Sequence, residues 1–190
     1  ANRHPRIKIL SPGPGVGGHC ISVDPWFFVD SAPDLARLIR TAREVNDSQP
    51  HYVVDLVREV LHGLEHKTIA ALGLAYKPDV DDLRESPAVE VCRLLSEQGA
   101  QVLAYEPFKP DAQVAGVHTV PALGAALDEA DCLLLLVGHA SMRKLDPHTL
   151  AQLTKARVAV DCVNGWPREV WAEAGFHLHK LGDGKQRRGA

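Results

Sequence analysis

The run Asp131-Cys132-Leu133-Leu134-Leu135-Leu136-Val137 is apolar at every position after its aspartate. A strand with one wet face alternates polar and apolar residues, so a short continuous run predicts a strand buried on both faces. Strands of that kind lie in parallel sheets covered by helices, and the flanking segments supply both. Residues 68–74, 101–105, 157–161 and 176–181 read as further strands, and 87–98, 123–130, 147–153 and 167–174 read as helices between them. Right-handed crossovers onto a parallel sheet then give a doubly wound α/β domain. Its ligand is expected beyond the carboxyl ends of the strands, at residues 76–84 after the first strand and at Glu106, Gly138 and Asn164 after later ones. Ser86 and Pro87 form a good helix start: a hydroxyl caps free N–H groups, and proline stands where its missing donor does no harm. Such a helix terminus also favours an anion, although capping alone accounts for both residues.

Ahead of this alternation, Leu35, Leu38, Ile39, Ala42 and Val45, then Val53, Val54, Leu56, Val57, Val60 and Leu61, recur at helical spacing. They predict a long helical spacer over residues 34–64, bent or broken near Pro50, with Asn46-Asp47-Ser48 as a local turn or cap. The fold class expected is α/β: a long central helical segment followed by a doubly wound, mostly parallel, Rossmann-like domain.

At 190 residues, 45% hydrophobic and 24% charged, the chain has material for one core and an additional element. A net charge of -3 excludes the clustered cations of a nucleic-acid footprint, and the basic run at 185–188 reads as a solvated terminus. No apolar run approaches the roughly 20 residues needed to cross a bilayer, so a soluble protein is expected. The 4 cysteines are scattered and form no CxxC pair, which favours a reducing cytoplasm over disulfides or zinc. Cys92, Cys132 and Cys162 lie in apolar-periodic segments and are expected to be small buried hydrophobes. The opening residues, Ala1 to Pro5, hold neither an apolar signal core nor a helix start, and read as if cut from something longer.

Cys20 differs, because it follows Gly13-Pro14-Gly15-Val16-Gly17-Gly18. That run satisfies the bare G-x-G-x-x-G pattern, but a dinucleotide fingerprint must open a helix. Here His19-Cys20-Ile21-Ser22-Val23-Asp24-Pro25 follows, with little helical periodicity before its proline. The run reads instead as a loop whose glycines let backbone approach a ligand and present Cys20 beside it. Residue types leave two readings open, a reactive thiol and a structural cysteine in a tight turn. Asp24 opposes thiolate formation by its own charge, so it is cast as a water-orienting or base-assisting group. Asp79, Asp81 and Asp82 lack the remaining ligands of a calcium loop, and no metal site is expected.

Residues 12–27, PGPGVGGHCISVDPWF, resemble the cysteine loop of the UDP-glucose/GDP-mannose dehydrogenase family. Residues 73–88, GLAYKPDVDDLRESPA, resemble the signature opening that family's UDP-binding domain, and residues 36–47, ARLIRTAREVND, its central dimer-forming helix. The three lie in the right order and cover nearly the whole chain.

The resemblance implies a division into residues 1–66, the cysteine loop and dimerisation helix; 67–182, a UDP-sugar-binding α/β domain; and 183–190, a flexible tail. It implies oxidation of a nucleotide sugar at C6 with two NAD, through Cys20 as nucleophile and Asp24 as the carboxylate that assists proton transfer. Leu10 and Ser11, with Gly17, Gly18 and His19, would lie along the UDP-sugar, and Tyr76 and Lys77 would face it. Lys77 on residue type alone is an ordinary solvated lysine. Arg84 would reach the NAD phosphates; its local alternative is a salt bridge to Asp81 or Asp82. Arg3 or Arg6 would enter the neighbouring subunit's site. The form GGHC-x-x-VDPWF resembles the branch acting on UDP-N-acetylmannosamine, His19 and Val23 standing where the glucose branch usually has serine and lysine. UDP-N-acetylglucosamine and UDP-glucose are the alternative substrates, and a redox-inactive module for UDP-sugar binding and dimerisation is the alternative of another class. On this reading the NAD-binding domain lies upstream and the chain alone does not turn over.

Overall fold

The computed structural model describes residues 4, 6 and 10–183. Arg3, the basic run at 185–188 and all of the expected tail beyond Asp183 lie outside the described residues. Five strands, β1 (Thr68–Leu72), β2 (Gln101–Tyr105), β3 (Cys132–Leu135), β4 (Val158–Asp161) and β5 (His177–Lys180), form one sheet in the order β2-β1-β3-β4-β5. Every pairing is parallel, with Leu72 opposite both Tyr105 and Leu135, and Leu135 opposite Asp161. The apolar run around Leu134 thus lies at the centre of the sheet, buried as its composition requires.

The helices are α1 (Asp24–Ser31), α2 (Arg37–Asp47), α3 (Gln49–Leu61), α4 (Pro87–Glu97), α5 (Leu123–Leu127), α6 (Ala140–Arg143), α7 (Pro147–Leu153) and α8 (Arg168–Glu173). Side chains of each strand alternate between two cores. On one face, Val53, Val54 and Val57 of α3 and Val91, Cys92 and Leu95 of α4 pack on Ile69, Ala71, Leu134 and Val160. On the other, Leu127 of α5, Leu150 of α7 and Trp171 of α8 pack on Leu72, Leu133, Leu135 and Ala159. Trp166 and Trp171 stack there with centroids 3.8 Å apart, and the Trp166 indole N–H donates to the Met142 carbonyl at 3.0 Å. Each fully buried Leu or Ile stabilises by roughly 1.5–3 kcal/mol, so this two-faced sheet holds most of the chain's apolar burial.

Cys92, Cys132 and Cys162 are buried, as expected, and burial pushes the Cys92 and Cys132 thiols up to about 12. The Ser86 cap is formed: its hydroxyl accepts the Ala88 N–H at 3.2 Å. The helical spacer is two helices meeting at Ser48, with Pro50 in the first turn of α3. Ser48 is not the side-chain cap expected there; its hydroxyl donates back to the Val45 carbonyl at 2.8 Å. Two elements escaped the sequence reading. Helix α1 begins at Asp24 because Pro25 falls in its first turn, where proline starts a helix rather than stopping one. Helix α6 is a single turn of 4 residues, too short for periodicity to reveal.

Candidate active site

Strand order reverses between β1 and β3, and the loops leaving their carboxyl ends diverge to open a crevice. A cavity of about 540 Å³ fills it. Its floor is Ala75, Tyr76, Lys77 and Pro78 after β1 and Leu136, Val137 and Gly138 after β3, with Arg143 of α6 and Val163 after β4. Its roof is the whole stretch from Leu10 to Ile21, so Leu10, Ser11, Gly17, Gly18, His19 and Cys20 meet Tyr76 and Lys77 in one site. Among the described lining residues Lys77 and Arg143 are the fixed charges, both positive, and none is a carboxylate. Such a wall attracts an anionic ligand.

The glycines of the roof serve the protein as well as a ligand. A side chain at Gly17 would overlap the Glu85 carbonyl oxygen and stand 2.7 Å from Pro87 Cδ. At Gly18, where φ is +92°, a Cβ would lie 2.8 Å from the Tyr76 ring. The cysteine loop is therefore pressed against the β1–α4 segment, and only glycine permits that approach. Helix α2 holds the same loop from behind. The Asn46 side-chain oxygen accepts the Val16 N–H at 2.8 Å while its amide donates to the Val16 carbonyl at 3.3 Å. Arg43, buried and ion-paired to Asp47 at 2.5 Å, donates to the Ile21 carbonyl at 3.3 Å. Sequence reasoning assigned Asn46 to a helix turn and missed both contacts; a polar side chain on an apolar-periodic helix was the available signal.

Cys20 is exposed, and its carbonyl accepts the N–H groups of Val23 at 3.0 Å and Asp24 at 2.8 Å in a turn leading into α1. It lines the large cavity and also a second of about 350 Å³, shared with Ile21, Asp24, Pro25, Phe28 and Ile39. Cys20 and Ile21 are thus the residues that the two cavities share, and Asp24 lines the second alone. The Arg84 guanidinium donates to the Asp82 carboxylate three times, at 3.0, 3.1 and 2.6 Å, and lies 3.4 Å from His19 Nδ1 at the rim. The hydrogen bonds from Arg84 hold the Asp82 carboxyl well below the usual range. The local salt bridge weighed for Arg84 is formed, with Asp82 and not Asp81. Arg6 is exposed and lines neither cavity.

Of the strand-end positions, Gly138 lines the cavity. Asn164 does not: its side-chain oxygen accepts from Lys180 at 2.7 Å and its carbonyl from Arg143 at 3.3 Å. Glu106 is buried beneath the site. Burial alone would raise its pKa, but hydrogen bonds from His139 and from the Leu74 and Phe108 N–H groups outweigh that and leave it below the ordinary value. Asp79 accepts from the Ala140 N–H at 2.8 Å, and no cluster of three potential metal ligands occurs among the described residues. Arg143 was not foreseen. It bonds the carbonyls of Gly138, Val163 and Asn164, which join β3 and β4 only in three dimensions.

Comparison with known proteins converges on the same two stretches. Residues 70–168 match the UDP-binding domain, and residues 1–48 the central domain, of the UDP-glucose/GDP-mannose dehydrogenase family. An NDP-N-acetyl-D-galactosaminuronic acid dehydrogenase of Ralstonia nicotianae is 51% identical over 169 residues, covering 87% of this chain and 39% of that protein. A UDP-N-acetyl-D-mannosamine dehydrogenase of Methanocaldococcus jannaschii is 41% identical over 188 residues, covering 97% of this chain and 43% of the relative. The solved structure of a UDP-D-ManNAc dehydrogenase from Pyrococcus horikoshii superposes with a TM-score of 0.82 at 31% identity, over 97% of this chain and 43% of that one. The chain therefore spans about two fifths of the length of the relatives it matches.

Proposed function

This chain belongs to the UDP-glucose/GDP-mannose dehydrogenase family, and from that premise we propose that it is the carboxy-terminal part of an NAD-dependent UDP-N-acetyl-D-mannosamine 6-dehydrogenase. The observation that carries the reading is the position of Cys20, which lines both the cationic crevice over the β1–β3 switch point and the adjacent cavity that holds Asp24. The uridine diphosphate lies in that crevice under residues 10–18, its phosphates toward Lys77, with Tyr76 and His19 beside the sugar. C6 then reaches the thiol.

NAD, held mainly by residues outside this chain, would supply the hydride acceptor for each of two oxidations at C6. Arg84 suits its phosphates, being an exposed planar cation at the rim, although a phosphate must compete with Asp82 for it. After the first oxidation the Cys20 sulfur bonds to the aldehyde carbon and the thiol proton passes to the carbonyl oxygen, giving a thiohemiacetal. Removal of the second hydride and of the hydroxyl proton leaves a thioester on Cys20. Water, oriented by Asp24, adds to the thioester carbon; the C–S bond breaks, the thiol is restored and the carboxylate leaves with loss of a proton. Residues 1–66 serve as the cysteine and dimerisation segment and 67–182 as the nucleotide-sugar domain. The exposed face of α2 joins two subunits, with Arg3 or Arg6 entering the neighbour's site. No described helix is long and apolar enough to cross a membrane, and we place the enzyme in the cytoplasm of a bacterium, supplying a sugar acid for surface polysaccharide.

A second sugar is favoured by the name of the Ralstonia relative: an N-acetylgalactosamine nucleotide. The deciding experiment measures NADH formation by a full-length protein carrying this chain, on a panel of UDP-sugars, beside its Cys20→Ser variant. Two NADH per UDP-N-acetylmannosamine, stalled by the substitution, is the expected result. Turnover of UDP-N-acetylgalactosamine alone moves the assignment to the second sugar, and UDP binding with no turnover of any sugar reduces the chain to a binding module.

A further inference from the structure

Glu106 and His139, at 2% and 0% exposure, line neither cavity, yet both grip the segment that forms the floor of the larger one. Glu106 follows β2. Its Oε2 accepts the N–H groups of Leu74 at 2.7 Å and Ala75 at 2.9 Å and lies 3.1 Å from His139 Nε2, while its Oε1 accepts the Phe108 N–H at 3.0 Å. On the other side of the imidazole, Nδ1 accepts the Asp79 N–H at 2.9 Å. A ring nitrogen that accepts a hydrogen bond carries no proton, so the proton of the neutral imidazole sits on Nε2 and is donated to the carboxylate. The Phe108 ring covers the imidazole with centroids 5.0 Å apart. The loop is fastened a second time where the Asp79 carboxylate accepts the Ala140 N–H.

Residues 74–79 are thus held at both ends by one carboxylate–imidazole pair, and Tyr76, Lys77 and Pro78 of the cavity floor lie between the two anchors. Buried N–H groups beyond a strand end must find acceptors. Here they find them on two side chains from the segments that follow β2 and β3 rather than on one neighbouring strand, so the loop's place depends on those two residues being polar and correctly paired. An ionised group is costly to bury, and four donors around Glu106 offset that cost.

We propose that Glu106 and His139 are positioning residues of the nucleotide-sugar site, a buried pair that sets the 76–78 wall and through it the affinity for the uridine diphosphate moiety. The proposal rests on the reading that this cavity takes UDP. Its test is calorimetric titration of UDP into the chain and into His139→Leu, His139→Asn and Glu106→Gln, with thermal unfolding of each and amide hydrogen exchange across residues 74–79. Asparagine places an acceptor near the Nδ1 position and keeps the Asp79 anchor, whereas leucine loses both bonds. We expect His139→Leu to bind UDP about tenfold more weakly while still unfolding cooperatively, with faster exchange at 74–79, and His139→Asn to recover part of the affinity. Unchanged UDP affinity in a folded His139→Leu overturns the proposal and leaves the pair a stabilising device only. Should His139→Leu fail to fold, the same comparison is read on His139→Asn and Glu106→Gln, and native affinity in both overturns it. If the native chain binds no UDP, the reading of the cavity fails by itself; the clamp then stands on accelerated exchange confined to 74–79 and falls on exchange that is unchanged there.

Discussion

The sheet and the amino-terminal helices treat their apolar residues in opposite ways. Around β3 every large side chain is buried, and Leu133, Leu134 and Leu135 are all at 0% exposure. On and beside α2 the stripe Leu35, Leu38, Ala42 and Val45 faces water, with Leu35 at 88% and Leu38 at 83%, and Phe27 and Phe28 of α1 are exposed next to it. One region completes its own core. The other presents an exposed apolar stripe of the sort that marks an interface, while Arg43 and Asn46 of the same helix hold the cysteine loop at Ile21 and Val16. The first encloses its apolar residues within this chain, and the region that carries the thiol leaves a row of them in water.

The largest effect that tests this contrast is on stability. Leu134→Ala should cost about 2–5 kcal/mol in urea unfolding because it leaves a cavity between two packed faces. Leu38→Ala should change the monomer by less than about 0.5 kcal/mol, while weakening self-association read by analytical ultracentrifugation. Equal costs would dissolve the distinction. Next in size is the seam between the regions: Asn46→Ala strips both hydrogen bonds from Val16 and should cost about 1–2 kcal/mol, with a changed rate of Cys20 alkylation while the sheet's circular dichroism is kept.

Acid sharpens the comparison further. Glu106 has a depressed pKa in the folded chain, so its contribution to stability is present above the ordinary glutamate value of 4.5 and is lost as pH falls through the lower folded value. Chemical denaturation across that window should show a steep loss in the native chain and a shallower one in Glu106→Gln; parallel curves would remove Glu106 from the account. The smallest effect belongs to Arg84→Ala. Its pair with Asp82 is exposed, so no measurable shift in the unfolding midpoint is expected, whereas the KM for NAD of the full-length enzyme should rise.

Much of this was legible in the sequence because it was local. The continuous apolar run named a two-faced strand, and Ser86-Pro87 named a helix start, each by physics acting within a few residues. The stripe on α2 was read correctly as helical, but periodicity says which residues share a face and not whether this chain covers it. What escaped was contact across sequence: Asn46 to Val16, Arg143 to Val163, His139 to Asp79. None leaves a spacing to count, because each joins segments far apart in sequence that only the folded chain brings together. The glycines of the cysteine loop fall between these cases. Their need for close approach was readable, and the identity of what approaches, Tyr76 and Glu85, was not.

Helix α3 belongs by sequence to the amino-terminal segment, yet Val53, Val54, Val57 and Leu61 seal one face of the sheet. It also lies in the interval between the two matched stretches, 1–48 and 70–168. Anyone cloning the nucleotide-sugar half by those limits would encode a sheet with an oily gutter open to solvent and recover it in inclusion bodies; the reading frame has to start at Gln49 or earlier for the product to keep its own lid.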